Sequence, residues 1–281
     1  MRENFMTYEN LIFDQERALY GITGATVNGC TFAGEADGES ALKETSDITV
    51  NNCRFDLRYP MWHMRNSLLC GSFLTQTCRA PLWYCDNTVI EKTKIDSVKA
   101  VRECSAVKID DCKINSPEFG WFCRDVSVIS GEISGEYPFL KTEGLVLNGM
   151  TLNGKYSFQY VQNATVSNCV LNTKDAFWHA KNVVVKNSVV KGEYLAWYSE
   201  NVTFERCKII GTQPLCYCKG LTLIECEMID CDLSFERSEV KASIKGAIES
   251  VKNPISGSIT AGSVGRIILD IPSSCEIKTG F

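Results

Sequence analysis

Apolar anchors recur along the chain at Val27, Val50, Leu69, Ile90, Ile109, Val128, Leu147, Val166, Val185, Phe204 and Leu223. The ten successive gaps are 23, 19 and 21 followed by seven of 19, so eight of the ten are nineteen and the two longer ones are small insertions. Self-similarity at one period over roughly 200 residues marks a solenoid. Each repeat carries a pattern such as ITVNNCRF, VKIDDCKI, ATVSNCVL or VTFERCKI, in which the anchor and the position two before it are apolar. That is the period-two alternation of a strand.

Polar pairs such as Asn51-Asn52 and Asp110-Asp111 follow the anchor and suit a turn. A small core residue and then an apolar one come next, as in Cys53 and Phe55 or Cys169 and Leu171. Gly34, Gly135, Gly154, Gly192 and Gly211 mark a second turn. Three residues before the anchors stand Asp47, Asn66, Asn87, Asp125, Asn163, Asn182 and Asn201, with Gly144 and Gly220 at the equivalent place. These types tolerate left-handed backbone, which marks a third turn, and stacked asparagines can bond one another along the axis.

Three strands and three turns per repeat predict an all-β fold: a single-stranded, right-handed parallel β-helix with about nineteen residues per coil. One coil cannot bury its own inner face, so its neighbours complete the core. Coils stacked at about 4.8 Å would give a rod roughly 50 Å long before caps. A hexapeptide helix is disfavoured because nineteen is not a multiple of six, and a pentapeptide helix because the remainder of the coil lacks its motif. A single domain over 1–281 is expected, with a cap, leading strand or short helix at 1–20, regular coils over 21–228, and irregular final coils with a cap over 229–281.

Composition changes this picture little. Net charge is −5, and no Lys/Arg-rich run exists to neutralise phosphates, so nucleic acid is not an expected partner. No apolar run approaches the ~18 residues of a membrane span. The N-terminus MRENFMTYENLIFDQERALYG lacks the marks of a signal peptide, so a cytoplasmic location is expected. The fifteen cysteines would suggest disulfides in a small secreted chain. Here Cys30, Cys53, Cys112, Cys169, Cys207 and Cys226 all follow an anchor by three, and Cys85, Cys104, Cys123 and Cys218 precede one by five. Cysteine in fixed phase is a small apolar core residue, expected to stay reduced. Metal binding lacks CxxC pairs and nearby histidines, so no metal and no cofactor is expected.

Candidate chemistry lies in one phase. Trp62, Trp83, Trp121, Trp178 and Trp197 each stand seven before an anchor. The next position holds His63, Tyr84, Phe122, Tyr160, His179, Tyr198 and Tyr217, and the preceding one Met61, Leu82, Phe139, Phe158 and Phe177. If the apolar column and the cysteines both face inward, at least one aromatic column faces outward. Such rings are either a stacked core or a lane that can lie against sugar rings. Stacking aligns Lys43, Trp62, Trp83, Arg102 and Trp121, then Glu44, His63, Tyr84 and Glu103, then Glu39, Arg58 and Arg79. Carboxylate, imidazole and phenol about 4.8 Å apart form a candidate acid–base set, although salt-bridge ladders give the same pattern without chemistry. His63 and His179 lie six coils apart, so histidine chemistry would use only one.

The coil pattern resembles the pectate-lyase-like superfamily of right-handed β-helices. The blocks FDQERALYG, DGESALKE, RYPMWH, SPEFGWFC, KDAFWHAKN, GEYLAWYSENVT and GTQPLCYC, spread over most of 12–240, are similar to an uncharacterised bacterial β-helix family catalogued as a domain of unknown function. The resemblance implies a fold and supplies no reaction. Polygalacturonase-type hydrolases in the superfamily use clustered aspartates near a histidine. Asp110-Asp111 is the sole Asp pair here, and its coil has no histidine. Calcium-dependent lyases need several clustered carboxylates, which do not align in adjacent coils. Two readings follow. One is a non-enzymatic binding or scaffold protein presenting Trp62, Trp83, Trp121, Trp178, His179 and Trp197, with Arg58 and Arg79, to a carbohydrate or protein. The other is a carbohydrate-active enzyme (lyase, hydrolase or epimerase-like) built from Glu44, His63, Tyr84, Arg102 and Glu103.

Overall fold

A computed structural model describes residues 6–34 and 41–280. The chain divides into two compact units, Met1–Thr142 and Glu143–Phe281, and each is a parallel β-solenoid with no helix among the described residues. No described segment is therefore a helix long and apolar enough to cross a membrane.

In the first unit, seven strands from Met6–Glu9 to Arg124–Ile129 form one ladder with the register Tyr8, Val27, Val50, Leu69, Ile90, Ile109, Val128. A second ladder runs Phe13, Phe32, Phe55, Leu74, Ile95, Ile114, Ile133. In the second unit the corresponding ladders are Leu147, Val166, Val185, Phe204, Leu223, Ala242, Ile259, Ile277 and Leu152, Leu171, Val190, Ile209, Met228. Every anchor read from the sequence is buried, none more than 2 % exposed. The core is thus a set of like-on-like columns, such as Phe32 stacked on Phe55 at 4.8 Å between ring centroids.

The turns follow the sequence closely. Asp47, Asn66, Asn87, Asp125, Asn163, Asn182 and Asn201 all have positive φ. Their amides bond coil to coil: Asn87 Nδ2 donates to Asn66 Oδ1 at 2.9 Å and Asn182 Nδ2 to Asn163 Oδ1 at 3.1 Å. A ladder of this kind satisfies side-chain amides that would otherwise compete with the backbone. The second-turn glycines answer a different demand: a Cβ at Gly135, Gly192 or Gly211 would overlap a carbonyl of the coil beneath.

Of the alternatives expected for the leading segment, the described residues form strand, with Met6–Glu9 and Ile12–Phe13 completing a first coil. Two features depart from the sequence reading. The third face of each coil is not a strand; isolated bridges such as Trp83 to Arg102 and Arg102 to Trp121 replace it. The tail is more regular than the spacing implied. Glu239–Lys252, Ser256–Ile268 and Ser274–Thr279 are parallel strands, with Ile259 sitting on Ala242 and Ile277 on Ile259. Coil offsets there fall below nineteen, to 17 between Glu239 and Ser256 and 18 between Ser256 and Ser274, which hid them from a fixed-period reading.

Candidate functional site

The third face is an aromatic corner, and backbone conformation builds it. In most coils the residues eight and six before the anchor both lie in the left-handed region: Met61 (φ 58°) and His63 (φ 57°), Phe177 (φ 60°) and His179 (φ 55°). Two such residues around one ordinary one turn the chain sharply, which ends the strand. The first side chain goes into the core, where Met61, Phe139, Phe158 and Phe177 are fully buried. The second goes outward, and Tyr84, Phe122, Tyr160 and Tyr198 are 38–47 % exposed. The tryptophan between them is half-buried against the corner. Its indole N–H donates to a main-chain carbonyl: Trp62 to Ala80, Trp121 to Tyr137, Trp178 to Tyr194 and Trp197 to Gln213, all at 2.7–2.8 Å. Non-glycine residues in this region cost strain that the surrounding coils must offset. Since Met, Phe and Tyr carry no left-handed signature, the corner was not readable from composition.

In the first unit the corner holds a caged cation. The Arg102 guanidinium lies 5.0 Å from the rings of both Trp83 and Trp121 and 5.3 Å from Phe122. It bonds Glu118 at 3.2 Å and lies 3.6 Å from Glu103, whose carboxylate also accepts the Trp83 indole N–H at 3.2 Å. Lys43 sits 5.2 Å from the Trp62 ring. Glu44, His63, Tyr84 and Glu103 do occupy successive coils, since the N–H of each donates to the carbonyl of Trp62, Trp83, Arg102 and Trp121 in turn. Their side chains are not joined as the acid–base reading requires. His63 stacks on Tyr84 at 5.0 Å, and no hydrogen bond or ion pair among the described residues links it to Glu44. Arg58 and Arg79 are exposed on neighbouring coils, while Glu39 lies outside the described residues.

In the second unit the rings form two ladders. Trp178 and Trp197 are parallel at 5.6 Å. Tyr160, His179, Tyr198 and Tyr217 stack in sequence at 4.9, 5.2 and 4.8 Å, with planes within 11° of parallel. Neighbours occupy the ring faces, so the lane offers ring edges and phenol hydroxyls outward instead of the flat faces expected from sequence.

Beside this corner runs a shallow polar groove of about 550 Å³, lined by Asn153, Gly154, Asn172, Thr173, Lys174, Lys191, Gly192 and Glu193. Gly154 and Gly192 are among the residues that line it. Tyr194 connects groove to corner: its ring packs edge-on against Trp197 at 5.2 Å, it receives Lys174 at 5.5 Å, and its carbonyl holds the Trp178 indole. Lys174 pairs with Glu193 at 3.1 Å, which raises the lysine pKa. Asn172 Nδ2 donates to Asn153 Oδ1 at 2.9 Å. The glycine column was visible in the sequence, but as a turn and not as the floor of a groove.

Asp175 adjoins the groove and is 5 % exposed. Burial raises its carboxyl above the ordinary 3.8, with Lys174 opposing that shift and Glu193 adding to it. A folded-state pKa above the unfolded one means that ionisation costs the folded state stability, and that the cost disappears below the unfolded pKa. Asp175→Asn is therefore expected to raise the urea midpoint at pH 7 and to leave it unchanged at pH 3; asparagine also tolerates the local φ of 53°.

A family model described as "Protein of unknown function (DUF3737)" matches residues 6–279. No curated protein matches the chain. Among solved structures, PfbA, a surface adhesin of Streptococcus pneumoniae, is 10% identical with a TM-score of 0.44, covering 83% of this chain and 76% of its own. The A-module of the mannuronan C-5 epimerase AlgE6 of Azotobacter vinelandii is 10% identical with a TM-score of 0.25, covering 98% and 90%. Likenesses this distant carry no functional argument.

Proposed function

We propose that this chain, which belongs to the DUF3737 family of proteins of unknown function, is a non-enzymatic carbohydrate-binding scaffold of the cytoplasm. The observation that carries the reading is the pairing, in one unit, of an exposed aromatic ladder with a polar groove joined to it through Tyr194. Ring edges and phenol hydroxyls at Tyr160, Tyr198 and Tyr217, together with the amide of Asn172 and the ammonium of Lys191, make a surface suited to a hydroxyl-rich ligand. Trp178, His179 and Trp197 hold that surface in place.

The enzyme reading around His63 has less support. Arg102 and Glu103, two of its charged members, are already committed to each other, to Glu118 and to the indoles. The cytoplasm is favoured by thirteen buried, unpaired cysteines, which suit a reducing compartment.

The test is calorimetric titration with a panel of neutral and acidic oligosaccharides. Wild-type protein is expected to bind at least one. Tyr198→Phe, which keeps the ring stack and removes one hydroxyl, should weaken that binding by about three- to tenfold. Binding by none of the panel, or equal binding by the variant, would refute a carbohydrate role for this corner.

A further inference from the structure

In the second unit the aromatic corner and the polar groove repeat at the same interval, the height of one coil. Tyr160, His179, Tyr198 and Tyr217 follow one another at 4.9, 5.2 and 4.8 Å between ring centroids. In the groove Asn153, Asn172 and Lys191 stand in register on successive strands. Both rows therefore run along the solenoid axis, in steps close to the inter-strand spacing of about 4.8 Å. Around a coil the chemistry instead changes at every residue, from buried Phe177 to half-buried Trp178 to the outward His179. Only the axial direction presents like groups at equal steps. Several of these groups also have bonding capacity in hand. Among the described residues, the hydroxyls of Tyr198 and Tyr217, the imidazole of His179 and the ammonium of Lys191 make no hydrogen bond or ion pair.

The lane of rings has a definite length. In the sequence the residue nineteen before Tyr160 is Lys141, not a ring. At the other end the Tyr217 N–H donates to Glu236, as the Tyr198 N–H does to Cys216, so Arg237 follows Tyr217 in the lane. Arg237 has the same positive φ (52°) and is exposed. Four rings thus stand in the lane between two cationic positions.

We infer that the ligand of this corner is a linear glycan of β-(1→4)-linked pyranoses, extended along the solenoid axis with one sugar to each ring of the lane. This rests on the carbohydrate reading proposed above and adds to it the linkage, the direction and the length of the ligand. A pyranose joined through equatorial bonds at its 1 and 4 positions is about as long as a coil is high, so each successive sugar comes opposite the next phenol or imidazole. An α-(1→4)-linked chain leaves each sugar through an axial bond, curls, and falls out of step with the rings. Because the ring faces are already stacked on one another, the chain is held at its rim: its equatorial hydroxyls meet the phenols on one side and the row of Asn172 and Lys191 on the other. Each sugar then contributes its own hydrogen bonds, until the lane ends.

Calorimetric titration with cello-, manno-, xylo- and chito-oligosaccharides of two to six sugars, against malto-oligosaccharides of the same lengths, tests this. At least one β-linked series is expected to gain about three- to tenfold in affinity with each sugar up to the tetrasaccharide, and nothing beyond it. The malto series should gain nothing past the disaccharide. Tyr217→Phe keeps the ring stack and removes the hydroxyl at the end of the lane, and it should bring the plateau forward from four sugars to three. Affinity independent of length, maltotetraose binding as tightly as the β-linked tetrasaccharides, a plateau unmoved in Tyr217→Phe, or binding only by sugars of other linkages would each overturn this inference and leave the carbohydrate reading standing. Binding by no sugar of any linkage would overturn both.

Discussion

Replacing Phe177 by alanine is expected to destabilise the protein by about 3–5 kcal/mol, read from the shift of the denaturant unfolding curve. Phe177 is fully buried, stacks on Phe158 at 4.5 Å and meets Phe204 edge-on at 6.5 Å. Truncation removes a large apolar side chain and leaves a cavity that like-on-like columns cannot easily close, since each neighbour is fixed by the coil above or below it. Tyr198→Ala, one coil further on and on the outward side of the same corner, should cost less. That ring is 47 % exposed, and its loss removes ring contacts worth about 0.5–1.5 kcal/mol each. Equal losses for the two variants would mean that the outer ladder is as structural as the inner one.

No more than two of the fifteen cysteines are expected to react with a thiol reagent in the native protein, and all fifteen after unfolding. Thirteen are buried; only Cys70 and Cys275 are partly accessible. Thiolate is the reactive form, and burial suppresses it. Desolvation pushes Cys53, Cys112 and Cys218 up to about 11 and Cys78, Cys216 and Cys231 up to about 12. The thiols also donate to nearby carbonyls, as Cys85 does to Met61 at 3.0 Å and Cys231 to Ile229 at 3.2 Å. Many fast-reacting thiols, or disulfides found by mass spectrometry without reductant, would contradict both the core packing and the proposed reducing location.

The ladders were legible because they depend on side-chain type at a fixed interval. Val50, Leu69 and Ile90 had to be apolar to fill the core, and Asn66 and Asn87 had to be small amides to turn the chain and bond each other. Stacking of Trp83, Arg102 and Trp121 was legible on the same ground. The corner was not, because Met61, Phe177 and His179 adopt left-handed backbone only under the constraint of neighbouring coils. Nor was the tail, whose coils shorten by one or two residues and so leave the common phase. Alignment on successive coils likewise proved a weaker guide than contact. It put both Glu44 and Tyr84 beside His63, and the imidazole stacks on Tyr84 while no hydrogen bond or ion pair among the described residues joins it to Glu44.

A crystal structure of the protein with the tightest-binding oligosaccharide of the panel tests the proposed function most directly. The expected result is a sugar seated along the groove of Asn172, Lys174, Lys191 and Glu193, with hydroxyls bonded to the phenols of the adjoining ladder. A sugar held instead at His63, Arg102 and Glu103, or an empty groove at saturating ligand, would contradict it.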